Sequence, residues 1–129
     1  MREVEVSRFV PEGPVVVDAA LSPVTLLEAE GSFAIQEIAE DGDRITVGGY
    51  GLELVFEFTD LENGVEYDQV TGPLETLRTT VSYRRKNEGS ELTARSELAV
   101  GGPGVVDRLA AWKRKGELER ALDGIAEEC

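Results

Sequence analysis

Residues 44–58, RITVGGYGLELVFEF, decide how the chain folds. Counting back from Phe58, every second residue is large and apolar: Phe56, Leu54, Leu52 and Tyr50. The alternate face carries Glu53 and Glu57. That is the period of a strand with one face buried and the other in water. Gly48 and Gly49 interrupt the run just before its aromatic stretch, where glycines let a sheet bend. So wide an apolar face needs something to cover it, and the flanking sequence supplies the cover.

On both sides of this stretch the chain reads as strands and turns. Phe33, Ile35 and Ile38 precede Asp41-Gly42-Asp43, a strong hairpin signal, and residues 44–49 return as the next strand. Residues 50–60 follow, then a turn at Glu62-Asn63-Gly64. Val65, Tyr67 and Gln69 share one face of the following strand, which Gly72-Pro73 ends. Leu77, Thr79, Val81 and Tyr83 share a face of the next. After Asn87-Glu88-Gly89 the last strand carries Leu92, Ala94, Ser96, Leu98 and Val100 inward.

The ends of the chain differ. Residues 2–10 alternate Val4 and Val6 against Glu3, Glu5 and Ser7, the pattern of a strand. Pro14 suits the first turn of a short helix with Val15, Val16 and Ala19 on its apolar face. Ser22 suits the N-cap of a second short helix through Glu28. GGPG, residues 101–104, closes the strand series, and residues 105–128 read as one long helix. The order is strand, two short helices, six strands and a helix: one α+β domain over residues 1–129, its curled antiparallel sheet wrapped around the last helix.

That last helix switches sides. Val105, Leu109, Trp112 and Gly116 lie at helical spacing on one face, and Leu118, Leu122, Ile125 and Cys129 on nearly the opposite one. A straight amphipathic helix keeps one apolar stripe. The switch predicts a kink or a close approach at Gly116, with Trp112 beside whatever the sheet encloses.

Composition narrows the functional classes. Acidic residues number 26 against 13 basic ones, a net charge of -13, and ten of the bases are arginine. Acid excess with scarce lysine reads as adaptation to high salt, and the field repels nucleic acid. No histidine is present, which removes the usual nucleophile–histidine systems and most transition-metal ligand sets. The GGPG glycines lack the lysine of a phosphate loop. A single cysteine, Cys129, allows no internal disulfide. No apolar run is long enough to span a membrane, and MREVEVSRFV does not read as a signal peptide. These features predict a cytoplasmic protein, a monomer or weak homodimer, without metal, cofactor, nucleic-acid partner or stable membrane insertion. The basic clusters Arg84-Arg85-Lys86 and Lys113-Arg114-Lys115 read as solvated ends paired with local glutamates, for instance Lys113 with Glu117 and Lys115 with Glu119.

Taken over its full length, the chain resembles the START-like or SRPBCC superfamily, also called polyketide cyclase/dehydrase-like, with its helix-grip fold. The resemblance rests on PEGPVVVDAALSP after the first strand, GSFAIQEIAEDGDRITV as strands two and three, and VTGPLETLRTTVSY leading into strand six. Within the superfamily it looks most like short bacterial and archaeal members, including ones akin to the G-type accessory protein of carbon-monoxide dehydrogenase. The resemblance implies a cavity between the sheet and the final helix. Parity and helical spacing then nominate Phe33, Tyr50, Leu54, Phe56, Tyr67, Gln69, Leu77, Thr79, Tyr83, Leu98, Leu109 and Trp112 as its lining. Core packing is the plainer reading of any one of them. The implied function is binding or transport of a small apolar molecule: a lipid, quinone, isoprenoid or polyketide-like compound. A polyketide cyclase/dehydrase-like enzyme and a surface-acting assembly factor are the alternatives. No pair of carboxylates is forced together by spacing, and the missing histidine weighs against the enzyme.

Overall fold

Seven strands and three helices account for nearly all of the chain in a computed structural model, which describes residues 2–101 and 103–129. Gly102, inside the GGPG stop, lies outside the described residues. The strands are β1 (Arg2–Val10), β2 (Ala34–Ile38), β3 (Arg44–Gly49), β4 (Leu52–Leu61), β5 (Gly64–Thr71), β6 (Thr76–Lys86) and β7 (Gly89–Ala99). The helices are α1 (Pro14–Ala20), α2 (Pro23–Glu30) and α3 (Gly104–Glu128). The strands form one antiparallel sheet in the order β1-β7-β6-β5-β4-β3-β2. Five hairpin steps run from β2 to β7, and β1 joins at the far edge beside β7, with Arg2 opposite Leu98 and Val10 opposite Ser90.

The two-residue period sorts the inner face as expected. Leu54, Phe56 and Phe58 of β4 are buried, as are Val65 and Tyr67 of β5, Leu77, Thr79 and Val81 of β6, and Leu92, Ala94, Ser96 and Leu98 of β7. Tyr50 departs from the pattern. The strand begins at Leu52, because Tyr50 (φ 54°) and Gly51 (φ 76°) both take the left-handed conformation between the paired residues Gly49 and Leu52. That is a two-residue turn of the type whose twist matches a hairpin. Tyr50 therefore stands in solvent, 85% exposed, and not on the inner face.

Gly48 and Gly49 also differ from expectation. Both pair in unbroken register with β4. They make room: a Cβ on Gly48 would sit 2.0 Å from the Gln36 amide, and one on Gly49 would sit 3.1 Å from the Phe33 ring. The irregularities that bend the sheet fall elsewhere, at Ile35/Glu37 in β2 and Val55/Phe56 in β4.

Short helices α1 and α2 link β1 to β2. In α1 the buried residue is Val17, and Val15 points outward, because the helix rests on the sheet one position later than the sequence pattern suggested. The Ser22 hydroxyl caps α2 by accepting from the Thr25 amide at 3.1 Å. This helix runs two residues past Glu28, to Glu30, and stops at Gly31 in the left-handed conformation (φ 76°). Its inward stripe is Leu26, Leu27 and Glu30.

Helix α3 runs unbroken through Gly116. Leu118, Ala121, Leu122 and Ile125 fill the core against α2, β1 and β7. The other apolar set faces water: Val105 is 54% exposed, Leu109 64% and Trp112 78%. The predicted kink is absent, since Gly116 would put a Cβ no nearer than 3.6 Å to its neighbour Arg120. The close approach occurs at Gly124, where a Cβ would lie 2.5 Å from Cβ of Ala29 on α2. Among the described residues, no helix is long and apolar enough to cross a membrane.

Candidate functional site

Under the first half of α3 the core opens into a cavity of about 200 Å³. Val47, Leu54 and Phe56 supply one wall, and Leu77 and Leu98 the floor from β6 and β7. Leu27 and Glu30 close it from α2, Phe33 and Leu52 border it near the β3–β4 turn, and Pro73 and Leu74 come from the β5–β6 loop. The helix contributes Ala110, Lys113, Arg114 and Glu117. The space exists because α3 presents a methyl group at Ala110, where one and two turns later it presents Glu117, Leu118 and Leu122.

The apolar walls end at a buried polar cluster centred on Arg114, 7% exposed. Its Nη1 donates to Glu30 Oε1 at 2.7 Å and to Glu117 Oε1 at 3.3 Å. Nη2 donates to Thr79 Oγ1 at 2.8 Å and to the Tyr67 hydroxyl, and Nε donates to Ser96 Oγ at 3.0 Å. The five N–H groups of a guanidinium are all used. Tyr67 donates in turn to Glu30 Oε1, Thr79 and Ser96 share a bond of 2.7 Å, and Ser32 donates to Glu117 Oε2. Lys113 lies at the mouth, 3.8 Å from Glu117 Oε2 and 6.0 Å above the Phe33 ring.

Burial sets the protonation tendencies. Desolvation pushes the Glu30 carboxyl above the usual range, and Arg114 and the Tyr67 hydroxyl pull it partly back. Burial likewise drives the Tyr67 phenol far above its ordinary value, against the opposing pull of Arg114. For Arg114 burial works against the charge, but Glu30, Tyr67 and Glu117 outweigh it and hold the guanidinium charged. Removing one partner from such a group strands the others in a poor solvent.

Five of the nominated residues line the cavity: Phe33, Leu54, Phe56, Leu77 and Leu98. Tyr67 and Thr79 lie behind it, in the polar cluster. Gln69 braces the wall by donating to the Leu74 carbonyl at 2.8 Å, with its Oε1 buried and unpartnered among the described residues. Tyr83 is elsewhere, donating to Asp18 of α1 at 2.8 Å. Tyr50 only touches the rim, its ring edge-on to Phe33 at 6.1 Å. Leu109 and Trp112 point away from the space into solvent, because the inward face of this half-helix is Ala110 and Arg114.

The sequence reading missed Glu30, Arg114 and Glu117. Arg114 looked like part of a solvated basic run, yet it sits four residues before Leu118 on the stripe that continues to Ala121 and Ile125. An arginine on an apolar stripe, with a glutamate three residues on, is the signal that could have found the pair. Its neighbours behave as expected in part: Lys113 pairs with Glu117, while among the described residues Lys115 and Glu119 form no ion pair. In the other basic cluster, Arg84 and Lys86 share Glu91 across the β6–β7 pairing, which holds that carboxyl below its usual range.

No family model matches the chain, and no curated protein matches it in sequence. Solved structures do match it along almost its whole length. A Thermus thermophilus protein of 18% identity superposes with a TM-score of 0.79, covering 98% of this chain and 96% of that one. A START superfamily protein from Mycobacterium smegmatis, 16% identical, gives 0.69 over 97% of each chain. Norcoclaurine synthase from Thalictrum flavum, solved with dopamine and hydroxybenzaldehyde, is 15% identical and gives 0.74 over 98% of this chain and 84% of that one. At such identities the likeness is one of fold. The chain has the helix-grip fold of START-like, SRPBCC-type proteins.

Proposed function

We propose that the protein binds a small apolar molecule in the cavity beneath the first half of α3, as a carrier or sensor. The observation that carries this reading is an apolar-walled space of about 200 Å³ that one alanine keeps open and a buried ion cluster terminates. An empty apolar cavity of roughly 150 Å³ already takes up benzene. The volume suits one or two rings or a short acyl chain. The tail of a longer lipid, quinone or isoprenoid would have to leave through the mouth between Phe33 and Lys113. A fold neighbour solved with two small aromatic compounds supports the same class.

Native mass spectrometry of freshly purified protein, followed by titration with ring-sized apolar compounds, tests the proposal. Ala110→Leu is the control, because its side chain occupies the space without touching the ion cluster's partners. We expect the wild type to bind, and the variant to lose binding with an unchanged or higher melting temperature. Equal binding by both proteins sinks the assignment to this cavity. Conversion of a bound polyketide-like chain would instead favour the cyclase-like enzyme. The acidic surface fits a monomer working in a saline cytoplasm, where ions screen the self-repulsion of a net charge of -13. A melting temperature that fails to rise with sodium chloride rejects that setting.

A further inference from the structure

The charges around the cavity already balance, Arg114 and Lys113 against Glu30 and Glu117. Most of their hydrogen-bonding capacity is also taken. Arg114 has no donor left, and both oxygens of Glu117 have partners. Glu30 is the exception. It lines the cavity at only 5% exposure, and both of its partners, Arg114 and Tyr67, hold the same oxygen, Oε1. Among the described residues Oε2 accepts no hydrogen bond. A carboxylate oxygen so enclosed, without a donor, is rare in folded proteins and calls for a partner.

We propose that Glu30 Oε2 is the specificity element of the cavity and selects a neutral apolar ligand bearing a hydroxyl group, a phenol or a short alcohol. The proposal deepens the binding reading above and rests on it. A hydroxyl fills the open acceptor without adding charge. An ammonium would also donate to Oε2, but it would leave a surplus buried positive charge beside Arg114. A carboxylate that reached Lys113 at the mouth would leave Oε2 unfilled. A hydrocarbon of the same shape gains the apolar walls and nothing from Glu30.

The fixed roles of Oε1 give a sharper expectation for Glu30→Gln. Arg114 and Tyr67 both donate toward that position, so the amide oxygen must take it. The amide nitrogen then faces the cavity, and the site offers a donor where it offered an acceptor. Preference should turn from a hydroxyl to a carbonyl.

The test measures the affinities of naphthalene, 1-naphthol, 1-naphthaldehyde, 1-naphthoate and 1-naphthylmethylamine by calorimetry in mildly alkaline buffer. Wild-type protein should bind naphthol at least about tenfold more tightly than naphthalene, the scale of one hydrogen bond to a charged group. Glu30→Gln should lose that advantage and favour the aldehyde. Equal binding of naphthol and naphthalene by the wild type overturns the role of Glu30 while leaving the cavity reading intact. Tightest binding of the aldehyde, the acid or the amine to the wild type also overturns it. If no probe binds, the cavity reading falls with it. The wild-type comparison stands alone should the variant fold poorly.

Discussion

The two halves of α3 use apolar residues in opposite ways. Residues 114–128 point Leu118, Leu122 and Ile125 into the core and fill it. Residues 104–113 turn Val105, Leu109 and Trp112 to water and offer the interior only Ala110 and a half-buried Ala111. The first arrangement makes the fold stable, and the second leaves the space that makes it useful. The border between them is Arg114. A buried cation there anchors the helix by directional bonds where bulk is withheld, so the cavity can stay open without the helix end coming loose.

Breaking that border should have the largest effect. Arg114→Ala leaves Glu30 and Glu117 facing each other without their shared partner and should cost about 3–5 kcal/mol in urea unfolding. Lys113→Ala, one residue away and mostly in solvent, should cost little. Equal losses would mean that the buried cluster is not what holds the helix.

Within the filled half, Leu122→Ala should cost about 2–5 kcal/mol, the range for a large core side chain cut to a methyl. The glycines divide the halves by sign. Gly124→Ala should destabilise by roughly 1–3 kcal/mol, because its methyl would collide with Ala29. Gly116→Ala meets only the flexible end of Arg120 and should stabilise by up to about 1 kcal/mol through helix propensity. If both glycines respond alike, α2 and α3 do not meet as described.

Trp112→Ala is the smallest expected effect. A tryptophan 78% exposed should change unfolding free energy by no more than about 0.5 kcal/mol. A loss of several kcal/mol would place it in the core and erase the contrast between the halves.

Period-two patterning made the sheet legible because a strand has only two faces, and Leu54, Phe56, Tyr67 and Leu98 could fall only inward or outward. Tyr50 escaped that logic because a hairpin turn took it out of the strand, and a Tyr-Gly pair is not the usual mark of such a turn. The site was harder to read. Its walls appeared wherever they coincided with the core pattern, whereas Glu30 and Arg114 were hidden by their own charge. An ionised side chain looks like surface until its partners are known, and these partners lie on other elements, with Arg114 held to Tyr67 of β5 and Glu30 of α2. The helix misled for a related reason. Its exposed Val105, Leu109 and Trp112 are the more apolar-looking stripe, and helical spacing alone cannot say which stripe turns inward.

The pairing of β1 with β7 sets the order of events during synthesis. The first strand to leave the ribosome finds its neighbour only when residues 90–98 have been made. At about 5–20 residues per second, it waits on the order of ten seconds as an unpaired ribbon. Glu3 and Glu5, alternating with Val4 and Val6, keep that ribbon charged on one face, the device by which exposed edges resist sticking to other chains. Once β7 emerges, hydrogen bonds from Arg2–Leu98 to Val10–Ser90 join the beginning of the chain to its end. The earliest segment translated is among the last to be sewn in.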